Sequence, residues 1–263
     1  MTNPDERMDP WQEALDCYKF FSDEVVIVGE DWPYEFKWDY IGKVFQEGFD
    51  KAKGDWVINM PTDMFFHEND KEKLITSLKD NDDAPGVVFP KLKFFNYNRC
   101  EFKTFDAMAI NKKNFSEVKF NGGGDLCLPT LNSIVLDQNN LPIVDVPLWN
   151  YDTTFRTKEI IAEDRARFAR AWFSEFMKWD DRGGETTKLA YEAWIEMVKT
   201  RLPKHTINKN LEDHPRFIQN SLANLKSDQF GYSCFGLIDE YKPRFIDYFN
   251  LVKTKIKYPM INI

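Results

Sequence analysis

The strongest constraint on the fold of this chain is a repeated order of pieces: an amphipathic helical pattern followed by a short apolar run, twice over, with few residues between. The first run, Glu24-Val25-Val26-Ile27-Val28-Gly29, has the length and β-branched content of a strand covered on both faces. It follows a segment with Asp9 at a capping position, Pro10 at the first helical position, and Trp11, Leu15, Tyr18 and Phe21 at helical spacing. The second run, Trp56 to Met60, follows a helical pattern from Asp39 to Lys53 that Gly54 stops. Helix, strand, helix, strand with short joints is the rhythm of βαβ units. The expected fold class is therefore α/β, a mixed, mostly parallel sheet flanked by helices.

Further elements extend this frame. The pattern predicts a helix from Asn69 to about Lys79 and a strand over Gly86 to Phe89. Leu92 to Phe95 and Phe105 to Ile110 alternate as antiparallel or edge strands do. After the turn at Gly122-Gly123-Gly124, a helix is expected over Leu126 to Leu131, then a strand at Ile143 to Val146. Past Thr157 the apolar positions Ile160, Ile161, Phe168, Trp172 and Phe176 fall at helical spacing, as do Leu189, Trp194 and Val198. The expected organisation is a core over residues 1–155 and a C-terminal helical extension, 156–263, packed on it.

Charge narrows the partners. With 35 basic against 43 acidic residues the chain carries a net charge of -8, which argues against duplex nucleic acid as the main partner. One stretch reverses the sign: Lys91, Lys93, Arg99, Lys103, Lys112, Lys113 and Lys119 face Glu101, Asp106 and Glu117. A solvated sheet edge guarded by lysines is favoured there over a contact to phosphate or an anionic acceptor. The four cysteines, Cys17, Cys100, Cys127 and Cys234, are far apart and lack metal or redox spacing, so reduced thiols are expected. No apolar run approaches the roughly 20 residues of a transmembrane helix and no signal segment opens the chain, so a cytoplasmic location is expected.

Several side chains stand where chemistry is done in α/β proteins. Pro61 ends the second apolar run and Asp63 follows, at the strand's carboxyl end, the edge where open sheets bind ligands. Asp63 is either a ligand or merely the cap of the turn after the strand, and His67, one helical turn on with Glu68 next to it, is either a further donor for a metal ion or, as a lone His more often is, a hydrogen-bonded surface or core residue. Asp125, after three glycines, is either a catalytic base or the cap of a following helix. Glu30 and Asp31 end the first run, where a carboxylate can accept hydrogen bonds from a base or ribose. Phosphate-loop, dinucleotide, hydrolase-elbow and zincin motifs are all missing.

In order, these parts resemble the nucleotide-sugar glycosyltransferases of the GT-A fold, family 2 in particular. The matching residues are Asn3-Pro4-Asp5-Glu6-Arg7, the Ser22 to Val28 stretch, Gly54-Asp55-Trp56-Val57 before the acidic motif, and Leu148-Trp149-Asn150-Tyr151-Asp152 to Arg156. They span residues 3–156. The resemblance implies an inverting, divalent-metal-assisted, hexosyltransferase-like enzyme. It would move a sugar from a nucleoside diphosphate to a hydroxyl on a glycan, glycolipid or protein. Asp63 falls on the last position of the family's D-x-D motif and would hold Mn²⁺ or Mg²⁺ together with the diphosphate, with His67 as a second ligand. Asp125 would deprotonate the acceptor hydroxyl, and Asn3, Glu30, Asp31 and Lys91 would join Asp63 in holding the nucleotide sugar. Pro61 stands at the first acidic position of D-x-D and Asn150 where relatives present a His. A non-catalytic GT-A descendant that binds nucleotide or carbohydrate is therefore the alternative.

Overall fold

A computed structural model describes residues 4–30, 32–96, 99–120, 127–201 and 207–226, and the helical positions 245, 249, 252, 253 and 256. At its centre lies a long antiparallel pair, β3 (Gly86–Asn96) and β4 (Arg99–Asn111). Outside β4 runs β1 (Trp56–Ile58), antiparallel. On the other side of β3, β8 (Leu148–Asn150) runs parallel and is followed by an antiparallel edge, β2 (Met64–Phe65). A short β9 (Ile207–Asn208) also pairs with β4.

The protein is thus mixed α/β, but its sheet is mainly antiparallel, against the expectation of a mostly parallel one. The parallel contacts among the described residues are β3 with β8 and an isolated bridge between Val88 and Ile143. Physically, β3 and β4 follow each other too closely in sequence for the crossover that parallel pairing requires. The first apolar run differs too. Residues 24–28 form no ladder, and Ile27 is 59% exposed. Val28 packs on Gly48 of α2 (Trp38–Lys51), so that side chain of the run is set against a helix and not within a sheet. Gly29 then turns the chain at φ +85°, with Trp32 so close that a Cβ would lie 2.5 Å from its ring nitrogen.

Both faces of the sheet are covered. Helix α1 (Trp11–Phe21) places Ala14 and Cys17 against Phe65, Leu92, Phe94, Trp149 and Tyr151, with Ile218 and Leu222 closing the same cluster. Residues beyond 156 therefore contribute to the sheet through β9 and to the core beside α6 (Gln219–Ala223). On the opposite face Leu74 of α3 (Lys71–Asp80) meets Phe66, Val87, Phe89 and Leu148. Full burial of such a Leu or Phe is worth about 1.5–3 kcal/mol. Helices α4 (Lys158–Phe176) and α5 (Thr187–Arg201) pack through Ile161, Trp194 and Val198.

Around 127–135 the structure replaces an expected helix by a small sheet of β5 (Lys119–Phe120), β6 (Pro129–Leu131) and β7 (Ile134–Val135). Asn132 and Ser133 turn between the last two with φ of 51° and 65°, the sign at both positions that a tight two-residue hairpin needs. The part of the basic stretch on β3 and β4 departs from a sheet edge, since these are interior strands, whereas Lys113 and Lys119 beyond them are exposed. Lys93 is buried, and Lys112 donates to the carbonyls of Phe49, Asp50 and Ala52 at 2.5, 3.1 and 2.6 Å, capping the end of α2. Among the described residues no helix is long and apolar enough to cross a membrane.

Candidate functional site

The parallel pair creates the site. Lys93 on β3 stands in register with Asn150 on β8, and the chain leaves β8 through Tyr151 and Asp152. Because β2 runs the other way, its beginning meets the end of β8: Met64 pairs with Asn150, and the Tyr151 amide donates to the Asp63 carbonyl at 2.8 Å. Asp63 and Asp152 are thereby brought together at the carboxyl edge of the two parallel strands, where such sheets bind ligands. Tyr18 of α1 holds the Asp63 turn in place, its hydroxyl 2.6 Å from the Pro61 carbonyl and 2.9 Å from that of Met64.

A cluster of charged side chains fills this edge. Arg156, 4% exposed, donates to one carboxylate oxygen of Asp9 from Nε at 2.9 Å and from Nη2 at 2.7 Å, while Nη1 reaches Asp152 at 3.4 Å and Asp164 at 3.3 Å. Lys93 donates to the second oxygen of Asp152 at 2.9 Å, and Arg165 approaches the same oxygen at 3.3 Å. Arg7 lies 3.5 Å from Asp9 and 3.3 Å from Asp164, and Arg167 also binds Asp164. Asp9 is therefore no helix cap: α1 begins after Pro10 without a side-chain cap, because the Asp9 carboxylate is turned to Arg156.

The carboxylates respond differently to this field. Burial opposes ionisation of Asp152, but Lys93, Arg165 and Arg156 together hold its carboxyl well below the ordinary range. Burial raises Asp9, with Arg156 and Arg7 pulling the other way. Asp63 is pushed up to about 6, first by burial and then by the negative charges of Asp152 and Asp9. Its Oδ1 is shut off from solvent and accepts no hydrogen bond from the protein. An acceptor left unmade in this way is costly; the other such carboxylate oxygen among the described residues, Asp164 Oδ2, at least faces Arg7 and Arg156 as ion pairs at 3.3 Å.

Of the residues singled out from sequence, Asp63 thus sits beside Asp152 and Arg156. Lys91 is half-buried on β3, two residues before Lys93 and so on the same strand face. His67 is not carried to Asp63 by a helical turn. The chain between them is extended and includes β2, along which four residues advance roughly 13 Å. His67 Nδ1 instead accepts from the Asn69 amide at 3.2 Å, and Glu68 accepts from the Arg216 amide at 3.0 Å. Glu30 is exposed beyond the Gly29 turn. Asn3, Asp31 and Asp125 lie outside the described residues.

Among the described residues, no three His, Cys, Asp or Glu side chains gather to cage a metal ion. The Asp63 Oδ1 could serve a narrower role, that of one oxygen donor to a hard cation such as Mg²⁺, commonly held by one or two carboxylates plus water and substrate phosphates, once this atom, now shut off from solvent, is uncovered. Composition and periodicity alone did not reveal Asp9, Lys93 and Asp164 as partners in this edge. The available signals were spacings: Asp152 to Arg156 four apart, and Asp164 to Arg167 three apart on a helix. Compared with protein-family models and with curated proteins, the sequence finds no match in either.

Proposed function

We propose that this protein is a glycosyltransferase that moves a sugar from a nucleoside diphosphate to an acceptor hydroxyl, with the donor's diphosphate at the carboxyl edge of β3 and β8. The observation that carries the proposal is Asp63: a carboxylate at that edge, in a turn fixed by Tyr18 and Tyr151, with one buried oxygen lacking a hydrogen-bond partner. Asp63 would hold a Mg²⁺ or Mn²⁺ ion arriving with the donor, and such an ion supplies Lewis-acid stabilisation of the departing diphosphate. Arg156, Arg7 and Lys93 keep Asp9, Asp152 and Asp164 neutralised, leaving Asp63 as the carboxylate with capacity to spare. Asp125 is assigned to the acceptor hydroxyl as general base, and Lys91 to the donor's phosphates.

A non-catalytic descendant that binds nucleotide or carbohydrate is the second reading, favoured by the lack of a gathered ligand set among the described residues. Transfer and donor hydrolysis measured over a panel of nucleotide sugars, with Mg²⁺, with Mn²⁺ and with chelator, separates the two. The enzyme reading expects metal-dependent turnover that falls at least roughly a hundredfold in Asp63→Ala and in Asp125→Asn. Full activity in both variants would sink the assignments. Calorimetric binding of a nucleotide sugar without turnover, unchanged by metal, would establish the second reading.

A further inference from the structure

Phe245, Phe249, Val252 and Ile256 are helical positions separated by four, three and four residues, the spacing that puts side chains on one side of a helix. That side is open to solvent, with exposures of 87, 56, 53 and 76% respectively. An apolar stripe of this regularity, covered by none of the described residues, marks an interaction surface. The charges of the surrounding sequence identify what it meets. Between residues 242 and 257, Lys242, Arg244, Lys253, Lys255 and Lys257 stand against one acid, Asp247, in a chain whose net charge is -8. Lys253, next to Val252, is itself exposed. A second copy docking on this stripe by twofold symmetry would bring two basic segments together, whereas an anionic lipid surface satisfies both the apolar side chains and the lysines.

We propose that this segment docks the protein on an anionic membrane surface. Phe245, Phe249, Val252 and Ile256 enter the boundary between headgroups and acyl chains, and the neighbouring lysines meet lipid phosphates. Such a helix lies in the interface plane, so the contact needs no spanning helix. Each lysine close to the surface strengthens partitioning roughly fivefold, and that part is screened by salt.

The test is co-sedimentation of the full chain with vesicles of phosphatidylcholine alone and of phosphatidylcholine mixed with phosphatidylglycerol. Binding to the anionic vesicles is expected to be at least about tenfold stronger and to weaken with added salt. Phe245→Ser/Phe249→Ser and Lys253→Glu/Lys255→Glu/Lys257→Glu should each reduce it at least about tenfold while leaving the Tm unchanged. Equal binding to both vesicles, no binding, or binding untouched by either variant overturns the proposal. So does a lowered Tm in the phenylalanine variant, which would mean that the stripe packs on its own core. A concentration-dependent dimer lost in that variant, with no vesicle binding, would assign the stripe to a second copy.

Discussion

Two turns meet at the same edge of the sheet, and they treat an aspartate in opposite ways. At the end of β8, Asp152 is surrounded by Lys93, Arg156 and Arg165, and its negative charge is held firmly. At the start of β2, one backbone hydrogen bond away, Asp63 is buried next to that satisfied charge and near Asp9, so its own ionisation is resisted. The difference lies in supply: the nearby cations are committed to the other carboxylates before Asp63 is reached. A buried carboxylate whose ionisation the fold resists is where function is expected.

Breaking the satisfied side should have the largest effect. Asp152→Ala leaves Lys93 buried, at 6% side-chain exposure, without its carboxylate, and should destabilise the protein by about 3 kcal/mol or more in urea unfolding. A loss below about 1 kcal/mol would show that the cluster does not hold this edge together.

The Asp63 side should respond with the opposite sign. An unfolded Asp titrates near 3.9, whereas Asp63 in the fold titrates at about 6. Between those values the folded chain binds the extra proton, so this group's contribution to stability falls as pH rises from about 4 to 6 and then stays level. Asp63→Asn should therefore match the wild type near pH 4 and exceed it by on the order of 3 kcal/mol above pH 6, while losing transfer activity. A variant less stable than wild type at pH 7 would refute the strained-carboxylate account. Asp152 runs the other way, its contribution being complete above the unfolded value and lost as pH falls through its lower folded value.

Two smaller effects sharpen the contrast. In Asp152→Asn, removal of the neighbouring negative charge should bring Asp63 down from about 6, read from its carboxyl carbon shift in an NMR titration. No movement would mean that burial and Asp9 set the value without Asp152. Arg165→Met removes the most exposed of the partners of Asp152, at 28% side-chain exposure, and should cost about 1 kcal/mol or less because Lys93 and Arg156 remain.

Sequence made one half of this edge readable. A short strand stopped by Pro61 put Asp63 at a strand end, and the Trp149 to Arg156 stretch stood out on its own; the structure joins them through β2 and β8. Helices α1, α2 and α4 form where their apolar spacing puts them, because a helix declares itself through residues a few positions apart, although the deepest positions are Ala14 and Cys17 in α1 and Ile161, Ala166 and Ala169 in α4. The sheet was harder to read. Val25 to Val28 has strand-like residues, yet whether such a run pairs or packs on a helix depends on partners far away in sequence. Asp9 and Arg156 show the same limit: local rules make Asp9 a cap, and a guanidinium from the other end of the sheet takes it instead.

The cluster that joins Ala14 and Cys17 to Ile218 and Leu222, tied further by the hydrogen bond of Ser221 to Glu13 at 2.6 Å, has a consequence for synthesis. Helix α1 leaves the ribosome about 200 residues before Ile218 and must wait for that late part of the core before its apolar side is closed. At ordinary elongation speeds that wait is roughly 10–40 s. Through that interval the nascent chain carries an open hydrophobic face, and any product terminated before Ile218 keeps α1 unsealed.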